Sequence, residues 1–412
     1  MTTVGSAKIL PRGLAYRNSL QCWHDSAADF RVIDDDPLLY QQTRSRPPSM
    51  NLDELNFDLP PELIAQRPLA ARDDSRMLLL DRNSGKWEDR QFREFPEVLR
   101  GDELIVFNNA KVIPARLFGK RRGIHAARPG AHNPTKQEHL QADIEVLLVR
   151  QLDMNLWETL VRPGRKIPVG ERIVFGDGEL EGVVEGREDF GLRAIRFASK
   201  SGFHETLGRQ GHIPLPPYIK REDEPADRER YQTVYAKEGS AVAAPTAGLH
   251  FTPELLARLS ERKIETAEIT LDVGLGTFEP VRTERLEDHK IHAESYEISK
   301  QTAEAVSRAK AAKRPILAIG TTAVRALEDA AEKAQGTSST VQEGRAEAEI
   351  FLYPGKPIRV VDELLTNFHL PESSLLALVA TLTGRESLLR AYRHAVGSRY
   401  RFYSYGDCML IR

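Results

Sequence analysis

The chain has 412 residues, 41% of them hydrophobic and 29% charged, a composition that supports packed cores and excludes disordered or collagen-like classes. Lys plus Arg number 58 against 60 Asp plus Glu, a formal net charge of −2, so no global basic field marks a nucleic-acid binder and any RNA contact must come from local patches. The only cysteines, Cys22 and Cys408, exclude a disulfide framework and a zinc site of three or four thiolates, and they suit a reducing, cytoplasmic location.

In chain order, residues 1–49 lack sustained periodicity and carry Pro37, Pro47, Pro48 and the acidic run Asp34, Asp35, Asp36. They are expected to form a mostly disordered extension, with a translation start at Met50 as the alternative. Residues 1–23 are too polar for a signal peptide, and no apolar run approaches the roughly 20 residues of a membrane span. A soluble intracellular protein without membrane attachment is therefore expected. Pro60 and Pro61 open a short helix, and Met77–Asp81 and Glu103–Phe107 read as buried strands. Between residues 115 and 207 the pattern turns all-β, with short alternating runs at Ile144–Leu148, Trp157–Val161, Ile173–Phe175, Leu180–Val184 and Leu192–Phe197. This predicts a small antiparallel β-barrel inserted as its own domain, with the loop Gly119–Leu140 at its tip.

The run Pro214, Leu215, Pro216, Pro217 makes a stiff connector out of the barrel. The flanking residues, 50–114 and 208–412, then form one α/β main domain. Its grammar repeats: Ile316–Ile319 runs through Gly320, Thr321 and Thr322 into a helix containing Arg325. Leu364 and Leu365 run through Thr366, Asn367, Phe368 and His369 into a helix near Pro371, and Ile264–Leu271 ends in Gly274, Leu275, Gly276, Thr277, Phe278. Alternating strands and helices predict a mainly parallel sheet with its ligand site beyond the carboxyl ends of the strands.

The chemistry-bearing residues collect at these junctions. Ala244–Phe251 leads into Thr252, read as a helix cap, and Pro253. His250 within it is either a satisfied core histidine or, with His369 in the equivalent loop of a parallel sheet, one of two converging site histidines. Gly274 and Gly276 allow close ligand approach, but the dinucleotide fingerprint is incomplete. His289, His292 and Glu294 lack a fourth ligand, so no metal site is expected. Lys310, Lys313 and Arg314 read as a solvated helix end. Lys120, Arg121, Arg122, Arg128 and Lys136 form a basic loop that most simply is solvated. Near the C-terminus Arg385, Arg390, Arg393, His394, Arg399 and Arg401 interleave with Tyr392, Tyr400, Phe402, Tyr403 and Tyr405. That is the charge-plus-stacking pattern single-stranded RNA requires; the other reading has Tyr400 and Phe402 alternate into a core as a strand with Arg401 and Tyr403 outward, and both can hold at once, one face packing and the other meeting RNA.

Taken together, Ala244–Thr252, Asp272–Phe278, Gly320–Leu327, Thr366–Pro371 and Tyr400–Ile411 resemble the S-adenosylmethionine:tRNA ribosyltransferase-isomerases of queuosine biosynthesis. Phe57–Arg76, Asn108–Gly119, Ile213–Ile219 and Arg230–Tyr235 extend the resemblance from about Met50 to the end. It implies a monomer with an α/β domain and an inserted barrel. Such an enzyme moves the ribosyl group of S-adenosylmethionine onto a 7-aminomethyl-7-deazaguanine at the tRNA wobble position, releasing adenine and methionine and leaving epoxyqueuosine. The chain departs from the family pattern in its extension, in Asp272 where histidine is common, in Ala348 and Glu349 where a threonine is usual, and in insertions at Gly119–Leu140 and Gly336–Glu347, both expected in loops.

Such chemistry needs a base for the C5′ proton beside the sulfonium and a neutral RNA amine to attack C1′. The resemblance therefore implies proton transfer by His250 or His369, with Asp272, Glu294 and Asp407 as the fallback. Phe251, Phe278 or Phe368 would supply an aromatic face, and Asp272, Thr321 and Thr322 would bind ribose hydroxyls. Thr246, Gly248, Gly274, Gly276, Thr277, Arg325 and Asn367 would complete the substrate site, and Arg393, Arg399, Arg401, Tyr403 and Tyr405 the RNA surface. S-adenosylmethionine is consumed as donor, and no bound prosthetic group is expected. The rival readings are an S-adenosylmethionine-dependent tRNA methyltransferase and a non-catalytic tRNA-binding protein.

Overall fold

The computed structural model describes residues 50–122, 143–164, 167–188, 191–274, 281 and 283–412; the expected extension 1–49 and most of the basic loop lie outside them. Residues Pro47–Arg412 belong to one compact unit. Its strands in chain order are β1 Arg76–Leu80, β2 Trp87–Gln91, β3 Leu104–Asn108, β4 Ala110–Val112, β5 Arg116–Arg121, β6 Asp143–Asp153, β7 Leu156–Arg162, β8 Arg172–Phe175, β9 Leu180–Arg187 and β10 Arg193–Ser199. There follow β11 Glu238–Ala241, β12 Glu265–Leu271, β13 Glu294–Ile298, β14 Ile316–Ile319, β15 Gly344–Ala348, β16 Glu363–Asn367 and β17 Cys408–Ile411.

Six strands close into a barrel in the order β10-β7-β6-β5-β8-β9, every neighbouring pair antiparallel. Alternation builds it, because Leu117, Val146, Leu148, Trp157, Ile173, Phe175, Val184 and Ile195 all turn inward. Gly119 is glycine of necessity: a Cβ there would stand 2.7 Å from both the Phe175 ring and the Val174 carbonyl oxygen.

The larger sheet runs β15-β13-β12-β3-β14-β16-β17-β1-β2, and it is mixed rather than mainly parallel. Its centre, β12-β3-β14-β16, is parallel throughout. Antiparallel pairing enters at β13 and β15 on one side, and at β16-β17 and β1-β2 on the other. The repeated strand-to-helix grammar signals the central quartet, whereas the reversal comes from the C-terminal strand inserting between β16 and β1, a pairing no local pattern announces. The segment Gly336–Glu347 is likewise not all loop, since its last residues begin edge strand β15.

The sheet is covered on both faces, as its near-continuous apolar strands require. Leu78, Val106, Ala318 and Leu364 face one core with helices Lys300–Ala311 and Thr321–Lys333, while Leu79, Ile105, Leu317 and Leu365 face a second with helix Pro253–Glu261. Three helices end on a basic residue in the left-handed region, Lys263 (φ 58°), Lys313 (φ 54°) and Arg399 (φ 55°). In each the following amide reaches back to the carbonyl five residues earlier, Ile264 to Leu259, Arg314 to Ala309 and Tyr400 to Ala395, the Schellman closure, with a cation where it opposes the helix dipole. Among the described residues no helix is long and apolar enough to cross a membrane.

Candidate active site

The parallel quartet aims four chain segments at one place. Asn108 ends β3, Asp272–Gly274 follow β12, Gly320–Thr322 follow β14, and Asn367–His369 end β16. Beside these carboxyl ends lies a partly open pocket, where ligand sites of open α/β sheets form. Of the expected site residues, Thr246, Thr321, Thr322, Asn367, Phe368 and His369 line it, joined by Tyr403.

The segment after β16 is the best braced. His369 Nε2 lies 2.7 Å from Thr366 Oγ1, and its backbone amide donates to the Tyr392 hydroxyl at 3.0 Å. Asn367 Nδ2 donates to the carbonyls of Tyr403 (2.9 Å) and Ser404 (3.4 Å). Phe368 is fully buried among Tyr392, Tyr400 and Phe402, so it supports the loop from below. The following helix begins at Ser374, not at Pro371, and is capped by the Ser373 hydroxyl. Asn108 accepts from the Leu271 amide and donates to the Leu271 carbonyl, both at 3.0 Å, tying the ends of β3 and β12 together.

Other expected residues stand elsewhere. His250 is not among the described lining residues; its Nδ1 lies 2.9 Å from Ser75 Oγ, and the ring packs 5.1 Å from Phe92. Phe251 is fully buried against Phe92, Phe95 and Phe107, so it offers no face to a ligand. Gly248 fits closely beneath Tyr235, whose hydroxyl would stand 2.0 Å from a Cβ. The Gly274 amide donates to Glu294 Oε1 at 3.0 Å, and Asp272 lies beside Gly239. Arg325 is buried in an ion pair with Glu294 and does not reach the pocket. Gly276, Thr277 and Phe278 lie outside the described residues.

The aromatic C-terminal segment is a correction. Tyr400, Phe402, Tyr403 and Tyr405 are all buried, and no strand runs through them. Tyr405 donates to Asp227 Oδ1 at 2.7 Å, and Tyr403 packs against Tyr218 with centroids 4.2 Å apart and the rings tilted by 42°. Neither ring is a free plane for bases. The Arg401 amide donates to Asp407 Oδ2, and its side chain reaches the Arg67 carbonyl. Arg393 and Arg399 remain exposed. Sequence reasoning missed Glu372, the one carboxylate among the described lining residues, held in the left-handed region at φ 56°. No local motif signals it.

Burial pushes the His369 imidazole down to about 3; it pushes His250 down to about 4, with Asn367 acting against the fall. Both rings are neutral near pH 7, which places no extra cation beside a cationic ligand. Because the folded values lie below the ordinary 6.5, the unfolded chain takes up protons first on acidification. The stability these rings contribute is complete above that pH and lost as pH falls from there toward 4. Denaturant titrations should show this loss, on the order of 3 kcal/mol from His250 alone, and His250→Gln should flatten it.

The family described as "Queuosine biosynthesis protein" matches residues 52–411. The S-adenosylmethionine:tRNA ribosyltransferase-isomerase of Solibacter usitatus is 52% identical over 364 residues, covering 88% of this chain and all of its own length. The enzyme of that name from Symbiobacterium thermophilum is 48% identical with the same coverages. A crystal structure of S-adenosylmethionine tRNA ribosyltransferase from Thermotoga maritima is 34% identical, covers 87% of this chain and all of its own, and superposes with a TM-score of 0.48. With relatives matched end to end at such identity, the chain belongs to the S-adenosylmethionine:tRNA ribosyltransferase-isomerase family of queuosine biosynthesis.

Proposed function

We propose that this chain transfers and isomerises the ribosyl group of S-adenosylmethionine onto the 7-aminomethyl-7-deazaguanine of a tRNA wobble position, giving epoxyqueuosine-tRNA, adenine and methionine. The observation that carries the reading is the convergence of His369, Asn367, Thr321 and Thr322 on one pocket at the ends of the parallel quartet, in a chain spanning the full length of its relatives.

The chemistry asks little covalent work of the protein, because the RNA amine is the nucleophile. The donor's sulfonium acidifies the neighbouring C5′–H, so the site must accept that proton and hold C1′ before the amine. Among the described lining residues the proton acceptors are His369 and Glu372. Of the fallback bases, Glu294 pairs with Arg325, Asp407 accepts the amides of Arg76 and Arg401, and Asp272 is not among the described lining residues. We assign the proton to His369, whose ring is neutral and fixed by Thr366. The packed rings of Tyr218 and Tyr403 supply an aromatic wall for the donor. A monomeric, cytoplasmic enzyme belongs to the same reading. The domain division at 115–207 follows the same reading, with the barrel strands falling between Arg116 and Ser199.

The test uses S-adenosylmethionine labelled in the ribose or in the methyl group, with unmodified precursor tRNA. Ribose label is expected on RNA, and methyl label in free methionine. Methyl label on RNA would make the chain a methyltransferase, and label on neither would leave only a tRNA-binding role.

A further inference from the structure

A second cleft lies beside the donor pocket. Ser404 lines both, and His250, which lines the second, bonds to Asn367 of the first. Two guanidiniums, Arg72 and Arg230, dominate this cleft. Arg72 donates to the carbonyls of Leu249 (3.1 Å) and Glu229 (2.8 Å), and Arg230 to those of Ala70 (3.0 Å) and Leu69 (2.8 Å). These contacts fix both forks in place and neutralise neither charge.

Arginines close by in sequence are treated differently. Arg67 and Arg221 each pair bidentately with a carboxylate, Glu224 and Asp227, whereas neither Arg72 nor Arg230 forms an ion pair with a described carboxylate. No acidic residue is among the described residues lining their cleft. Burial first, and the Arg230 charge second, hold the Arg72 guanidinium below its ordinary value against a weaker pull from Glu229. Arg401 adds a third charge, which reaches the His250 ring as that of Arg72 does. Part-buried cations that repel one another without a counterion favour an anion, and guanidinium forks favour one that can be held by two oxygens. The denser basic cleft at the opposite strand ends lacks this property, because Arg100, Lys310 and Arg314 there already pair with Glu363, Asp362 and Glu265.

Of the two substrates, S-adenosylmethionine carries a single carboxylate, and the RNA carries a phosphate at every nucleotide. With the wobble base in the donor pocket, a phosphodiester of that nucleotide lies within one nucleotide's length, a reach that a cleft sharing Ser404 with the pocket satisfies. We propose that Arg72 and Arg230 form a phosphodiester site for the tRNA, holding the backbone beside the wobble nucleotide while its base reaches the donor pocket past Ser404. This rests on the reading that a tRNA wobble nucleotide is the acceptor, and it gives the RNA a contact apart from the C-terminal arginines. Backbone contacts set position and carry no sequence information, so the choice of base is left to the donor pocket.

The test measures binding of an anticodon stem-loop RNA bearing 7-aminomethyl-7-deazaguanine to the full chain across a salt series, with S-adenosylmethionine binding followed separately. Arg72→Gln and Arg230→Gln keep a hydrogen-bond donor for the carbonyls and remove one charge each. Each should weaken RNA binding about tenfold, lower the slope of log affinity against log salt by about 0.7, and leave S-adenosylmethionine within about twofold. Lys313→Gln, in the opposite basic cleft, should leave the slope unchanged. The decisive comparison uses RNA whose phosphodiesters flanking the wobble nucleotide are replaced by uncharged methylphosphonates. On the unaltered chain the replacement should weaken binding about tenfold, and on either glutamine variant by less than about twofold, the coupling expected of groups in contact. The arm on the unaltered chain needs no variant, so a variant that does not fold leaves the test standing. Full affinity of the methylphosphonate RNA for the unaltered chain, additive losses in the cycle, or weakened S-adenosylmethionine with an unchanged slope overturns the proposal, the last by giving the arginines to the donor's carboxylate. The labelled-ribose assay on the unaltered protein keeps the parent reading separate: transfer without coupling sinks only the phosphodiester site, and absence of transfer sinks the transferase while RNA binding still decides the site.

Discussion

Replacing His369 with Gln is expected to lower turnover by about 10² to 10⁴, the weight of a positioned proton acceptor, with little change in S-adenosylmethionine binding. Gln preserves approximate size and one polar contact to Thr366, so the 2.7 Å brace has a substitute while the basic nitrogen is gone. Exchange of the donor's C5′ proton with solvent deuterium should fall in parallel, which separates loss of the proton acceptor from loss of RNA binding. His250→Gln should lower exchange less, because that ring is held by Ser75 and meets the pocket only through the Asn367 side chain. The pH profile offers a second check. With the His369 imidazole held down to about 3, it stays in its basic form across the neutral range, so turnover should show no acidic limb near the ordinary histidine value of about 6.5. Normal turnover in His369→Gln together with lost turnover in Glu372→Gln would move the role to the carboxylate.

The sequence makes one part of this architecture legible and hides another, and the division follows the range of the interactions. Apolar runs such as Ile316–Ile319 followed at once by Gly320 and a helix are local patterns, and they announce the central parallel strands and the loops that carry Thr321, Asn367 and His369. The barrel is legible for the same reason, since alternation along β6 and β7 is a property of neighbouring residues. Pairings between distant segments leave no such mark. β17 meets β16 through Cys408 and Asn367 in antiparallel register, and that insertion of the C-terminal strand reverses the direction of the sheet on this side. The aromatic segment shows the same limit in side chains. Tyrosine beside arginine suits an RNA surface or a buried hydrogen-bonded core equally well, and what decides for the core at Tyr405 is Asp227, 178 positions away. His250 is settled by Ser75 at a similar separation. Glu372 enters the pocket on a left-handed turn that its residue type does not suggest.

Arg325 gives the remaining large effect. Its position in the Gly320–Leu327 segment suggests a substrate contact, yet it pairs with Glu294 where the two side chains are 4% and 2% exposed, and it donates to the carbonyls of His292 (3.2 Å) and Ala348 (2.9 Å). Glu294 in turn accepts the Gly274 amide, so the pair joins helix Thr321–Lys333 to β13, β15 and the segment leaving β12. Removing one partner strands a buried charge and two carbonyls. Arg325→Met is therefore expected to cost about 3 to 5 kcal/mol in denaturant unfolding, and Glu294→Gln a comparable amount. The double variant should lose less than the sum, because neither charge is then left alone. A substrate-binding arginine predicts the opposite pattern, with stability unchanged and the KM for donor or tRNA raised. Arg325→Lys divides the two further: it keeps the charge but not the planar fork that reaches Glu294 and two carbonyls at once, so in a structural role it should recover only part of the stability and leave KM near that of the unaltered chain.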